Sequence, residues 1–246
     1  MRCTEMCRRL MAEGLGSLLL AATVIGSGIM GERLAGGNLA LALLANTGAT
    51  VAVLAVLIAL LGSVSGAHFN PAVSLVEALR RKMSWGAFVS YGIVQIIGCC
   101  AGTVLAHAMF GLPLVQSSLH VRTGMSQWLA EAVATCGLLL VVLGHRRAED
   151  APWMVAGWIG AAYWFTASTS FANPAITIAR SLSDTFAGIR PQDVPGFIVA
   201  QLIGAMLGLV IAGRLFPLQS ARVTSTPTPR ESQEIPEDPA ASAAAR

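Results

Sequence analysis

Charge is scarce in this chain. Of its 246 residues only 12% are Asp, Glu, Lys or Arg, against 54% hydrophobic, and the mean hydropathy is +0.66. Soluble domains carry about 25% charged residues, so the composition excludes an ordinary soluble globule and places the chain in the membrane class. Cysteine is scarce as well, with five residues and no disulfide framework. Cys99, Cys100 and Cys136 fall inside apolar segments and read as small hydrophobes. Cys3 and Cys7 are thiols of the kind soft metalloids favour, but two of them near a terminus fall short of a site. His107, His120 and His145 have neither ligand nor triad spacing. No enzymatic constellation, metal site or cofactor is therefore expected, and no cleavable signal peptide is evident.

What the chain does have is long apolar runs. A bilayer core of about 30 Å takes roughly 20 apolar residues per helix. Six segments qualify: 11–31, 39–63, 86–110, 127–145, 151–170 and 195–215. The fifth is the weakest, because Thr166, Ser168, Thr169 and Ser170 crowd its end. Basic residues set the orientation. With the N-terminus in the cytoplasm, twelve of the sixteen fall on that side, from Arg2 to Arg246. Only Arg33, Arg122, Arg180 and Arg190 lie opposite. This is the positive-inside asymmetry. It puts both termini in the cytoplasm, and it accounts for the net charge of +3 without a nucleic-acid partner. The expected layout is a cytoplasmic N-terminus over 1–10, a membrane channel domain over 11–216, and a tail over 217–246. The tail is rich in Ser, Thr, Pro, Glu and Ala, too polar to fold by itself.

The membrane part repeats. Ala12-Glu13 recurs as Ala130-Glu131. Gln95, Gly98 and Gly102 recur as Gln201, Gly204 and Gly208. Asn70-Pro71-Ala72 recurs as Asn173-Pro174-Ala175. Repeat one covers about 11–110 and repeat two about 127–215. Each holds three crossings, an odd number, so the second must be inverted, and inverted repeats place a shared site near the bilayer midplane. The Gly-x-x-x-Gly spacings read as close helix packing in lipid.

Each Asn-Pro-Ala begins an apolar stretch too short to cross, over 70–80 and 173–183, so both are expected to be re-entrant half-helices. Asn is a strong N-cap and Pro suits the first helical position. One such triplet is an ordinary helix start; two at matching places in an inverted repeat are specific.

On these residues, and on the run Ser65-Gly66-Ala67-His68-Phe69-Asn70-Pro71-Ala72-Val73, the chain resembles the major intrinsic protein family of aquaporins and glycerol facilitators, from about residue 10 to 215. The resemblance implies an all-α bundle of six transmembrane helices plus two re-entrant half-helices, forming a homotetramer with one pore per subunit. Two half-helix N-termini meeting at the pore centre each act like roughly half a positive charge. Cations are repelled there while neutral solutes pass, as is general for aquaporin-type pores. Asn70 and Asn173 would hold a passing oxygen. Glu13 and Glu131 are costly in lipid and functional by default; a proton relay is one reading, but the resemblance implies that they accept bonds from the re-entrant loops. His68 resembles a supporting loop position.

The family's outer constriction usually includes an Arg directly after the second triplet. Here that position is Ile176. Counting from the motifs places the other filter positions at Thr50, Ala161 and Ser170, a ring without aromatic, histidine or arginine, and hence wide and weakly polar. Arg180 lies one helical turn beyond Ile176; it either bends back to replace the missing Arg or sits at the mouth paired with Asp184. The stretch from Ser170 to Arg180, with Asp184 to Pro191, resembles a bacterial branch associated with arsenic resistance. That resemblance implies passive, bidirectional passage of water, glycerol and neutral arsenite across a bacterial inner membrane. The alternatives are a water-selective channel and a proton-coupled transporter.

Overall fold

The computed structural model describes residues 2–145 and 147–216. Eight α-helices follow in order: α1 (Arg2–Leu34), α2 (Leu39–Ser65), α3 (Pro71–Leu79), α4 (Trp85–Met109), α5 (Met125–Gly144), α6 (Ala151–Phe165), α7 (Pro174–Arg180) and α8 (Val194–Leu215). Among the described residues, five helices are long and apolar enough to cross a membrane. The sixth crossing is the 15-residue α6, which spans about 22 Å at 1.5 Å per residue.

Residues 2–10 continue α1 outward; no Gly or Pro interrupts them, so the helix propagates. One boundary differs from expectation: the fifth crossing ends at Phe165 rather than 170. There Thr166 turns its hydroxyl back to the Ala162 carbonyl (2.7 Å), and the chain runs on as a non-helical arm to Asn173. The polar run that weakens this segment in sequence is where its helix stops. The tail expected over 217–246 lies outside the described residues.

The repeats show in how helices pair. α4 packs on α1 and α8 on α5, and in each pair the Gly-x-x-x-Gly face is the contact. A Cβ on Gly98 would stand 2.4 Å from the Gly14 carbonyl oxygen, and one on Gly102 2.2 Å from that of Leu18. In the second repeat, a Cβ on Gly204 would stand 2.2 Å from the Ala132 carbonyl oxygen, and one on Gly208 2.7 Å from that of Cys136. No side chain fits in such a gap, so glycine is required for the backbones to touch. Large apolar side chains such as Leu44, Leu60, Ile97 and Leu129 face outward instead, as lipid permits.

Candidate functional site

Both half-helices begin as their sequences dictate. Asn70 caps α3 by accepting from Ala72 N (2.9 Å), and Asn173 caps α7 by accepting from Ala175 N (3.0 Å) and Ile176 N (3.3 Å). Pro follows each cap at the first helical position, where no amide donor is needed. The two side-chain amides then cross. Asn70 Nδ2 donates to the Ala172 carbonyl at 2.7 Å, and Asn173 Nδ2 donates to the Phe69 carbonyl at 2.8 Å. Each Nδ2 carries two hydrogens, so one donor per Asn remains beyond this lock, and both residues line the central cavity.

The arms leading into the caps are matched at an offset of 103 residues. Ala67 and Phe69 have φ of 49°, and their counterparts Ser170 and Ala172 have 49° and 48°. Non-glycine residues in this left-handed region cost roughly 1–2 kcal/mol each, and buried carboxylates offset that strain. Glu13 accepts from His68 N (3.0 Å), Phe69 N (2.7 Å), Ser65 Oγ (2.6 Å) and Gln95 Nε2 (2.8 Å). Glu131 accepts from Phe171 N (2.8 Å), Ala172 N (2.9 Å) and Gln201 Nε2 (2.6 Å). The same glutamines reach Ser74 and Thr177 on the half-helices. His68 adds a bond to Ser74 (2.9 Å) and rests against the Tyr91 ring. Ser65 and Ser168, also 103 apart, each take the amide two residues on. That last pair is legible from the offset but is not picked out by motif.

The cavity has a volume of about 330 Å³ and runs past both Asn residues. Its walls are helical stripes four residues apart: Thr50, Leu54 and Ile58 on α2, and Val155, Ile159 and Tyr163 on α6. Val73 and Ile176 stand at equivalent places on the half-helices. At one end are Glu77, Arg80, Lys82 and His145, with Glu77 and Arg80 paired at 2.7 Å. At the other are Thr50, Tyr163, Ser170, Ile176, Phe171 and Arg180.

Of the counted filter positions, Thr50, Ser170 and Ile176 line the cavity. Ala161 does not. It is exposed on the outer face of α6, because two residues turn a helix by about 200° and so set it about 160° from both Ile159 and Tyr163. The lining residue is Tyr163, whose hydroxyl lies 3.4 Å from Thr50 Oγ1. Counting across a loop of assumed length missed it by two positions. The cavity end is therefore not free of aromatics or arginine, since Tyr163, Phe171 and Arg180 all line it.

Arg180 makes no pair with Asp184. The Asp184 carboxylate instead takes the amide of Leu119 at 2.8 Å. Arg180 Nε donates to the Ala187 carbonyl, and its guanidinium lies on the Phe171 ring with 3.4 Å from Cζ to the centroid. Arg122 approaches the same ring at 5.1 Å and is held by the carbonyls of Gly188, Ser168 and Phe186. Burial pushes its guanidinium below the ordinary range. In the sequence Arg122 counts only toward topology, since nothing local marks a loop arginine that folds inward.

Two inverted three-helix repeats whose half-helices meet, Asn to Asn, on a lined cavity define an aquaporin-type transmembrane channel. The chain belongs to the major intrinsic protein family, whose sequence model matches residues 1–152. It is similar to the aquaglyceroporin AqpS of Rhizobium meliloti (strain 1021), 53% identical over 89% of this chain and 93% of that one. It is also similar to the aquaporin AqpM of Methanothermobacter marburgensis, 29% identical over 81% and 94% of the two chains. In structure it matches the aquaglyceroporin from Plasmodium falciparum with a TM-score of 0.64 over 86% of this chain and 95% of that one. At 20% identity that match speaks to the fold alone.

Proposed function

We propose that this channel conducts small uncharged solutes passively and in both directions: water, glycerol, and trivalent metalloid hydroxides such as arsenite. The observation that carries the proposal is the make-up of the level around Ile176. An aliphatic wall stands where an arginine is usual, and Thr50 and Tyr163 line the same cavity with hydroxyls near enough to bond weakly to each other. Ser170 lines it too, but its Oγ is enclosed and has no protein partner among the described residues. Glycerol and arsenous acid present hydroxyls to such groups without bringing charge. The likeness to an aquaglyceroporin supports glycerol; arsenite rests on sequence resemblance and on its neutral trihydroxyl chemistry at pH 7.

Ions are excluded at the centre by the two half-helix N-termini. The positive-inside asymmetry assigns the Glu77 end to the cytoplasm and the Arg180 end to the outside of a bacterial inner membrane. A homotetramer with one pore per subunit fits the outward apolar faces. A proton-coupled transporter is disfavoured, because Glu13 and Glu131 are occupied by backbone amides and neither is among the residues lining the cavity.

One observation favours a water-selective pore: an aromatic residue and an arginine, Tyr163 and Arg180, line the cavity. Stopped-flow swelling of proteoliposomes separates the two. Flux of glycerol and arsenite alongside water supports the proposal; water flux alone overturns it.

A further inference from the structure

Arg180 is 2% exposed, and among the described residues no carboxylate pairs with it. Its Nε is bound to Ala187 and its flat face is covered by Phe171. Among the described residues neither Nη makes a hydrogen bond, and neither Nη is a fully enclosed, unpartnered atom. The side chain lines the cavity, and the Nη atoms are its polar ends left without a protein acceptor. A buried guanidinium left without acceptors is costly unless something in the pore accepts from it.

Glu77 and Arg180 occupy the same place in the two half-helices, seven residues past each Asn. Glu77 is neutralised by Arg80, whereas Arg180 has another cation, Arg122, on the same ring. The outer end therefore holds two arginines on one ring, neither in a salt bridge among the described residues and both opposed by the Glu131 carboxylate, and Arg180 stands one turn beyond the aliphatic Ile176.

From this placement we infer that Arg180 is a specificity-determining residue: pinned by Phe171 and Ala187, it offers its Nη donors to the oxygens of a solute entering from the outer mouth and turns cations away there. The inference rests on the channel reading above. It divides the filter into two levels, with a cationic donor outside and an aliphatic step inside. In a single ring both would act on the same solute atom. In two levels a polyol gives one hydroxyl to Arg180 before its carbons reach Ile176.

The test uses the full-length protein in proteoliposomes, with sodium leak and water flux measured on the same vesicles. Arg180→Leu should raise sodium leak relative to water flux by about 10-fold or more, since a fixed charge in a low-dielectric mouth is strongly felt. Arg180→Lys, which keeps the charge, should hold leak near wild type while weakening the glycerol preference. Leak and the glycerol-to-water flux ratio both unchanged in Arg180→Leu, with water flux intact, overturn the inference and leave Arg180 a packing residue.

If Arg180→Leu does not insert, methylglyoxal applied outside wild-type vesicles replaces it. Site-mapped modification of Arg180, slowed by excess glycerol and parallel to loss of water flux, supports the assignment. An unreactive Arg180 beside a modified Arg190 overturns it. Absence of glycerol flux in the wild type sinks the aquaglyceroporin reading alone, because leak and water flux still report on Arg180.

Discussion

Asn70 and Asn173 each bind the other repeat's loop: Asn70 Nδ2 meets the Ala172 carbonyl and Asn173 Nδ2 meets the Phe69 carbonyl. The pore centre is thus a lock between two halves of the chain, and each Asn also caps its own half-helix. Asn70→Ala or Asn173→Ala should cost about 1–2 kcal/mol through the lost cap and roughly 1 more through the crossed bond. Because the bonds tie adjacent loops, the double variant should be non-additive by about 0.5–3 kcal/mol. Thermal unfolding in detergent measures this; strict additivity would show that the two halves do not support each other.

Ile176→Arg restores a charge at the level where the family usually has one. Glycerol and arsenite flux should fall more than water flux in stopped-flow swelling. If the ratio of the fluxes does not change, Ile176 does not line the constriction.

The replacement of Ala161 by Tyr163 as the lining residue gives a paired test. Tyr163→Ala removes an aromatic ring from the cavity wall and should raise glycerol flux relative to water. Ala161→Trp should leave both fluxes near wild type, because its side chain faces away from the pore. The opposite pattern would restore the counted assignment.

Glu131 holds two backbone amides and Gln201 without contact to the cavity. Glu131→Ala strands those donors, each costing about 1–3 kcal/mol when buried, so folded yield and thermal midpoint should drop sharply. Uptake of arsenite by the wild type should not change when a protonophore collapses the proton gradient. Dependence on that gradient would revive a coupled transporter.

Much of this architecture is legible in the residues alone. Composition sets the membrane class, and the paired Glu, Asn-Pro-Ala and Gln-x-x-Gly-x-x-x-Gly signals mark the inverted repeat. These are local or periodic features: a cap, a proline, a glycine face, each tied to the backbone beside it. The filter is less legible, because its members arrive from α2, α6, the second arm and α7, and no local motif fixes the face that α6 turns to the cavity. The phase of α6 puts Val155, Ile159 and Tyr163 inside and Ala161 outside.

Arg180 marks the boundary between the two kinds of knowledge. The sequence by itself determined that it lies one helical turn past Ile176 on a short half-helix, and that an arginine is missing at the usual place. It left open whether the side chain would reach Asp184 or the pore. Only the tertiary structure decided, because the deciding partners, Phe171 before the half-helix and Ala187 after it, are brought to Arg180 by the folding of loops whose course no local pattern encodes.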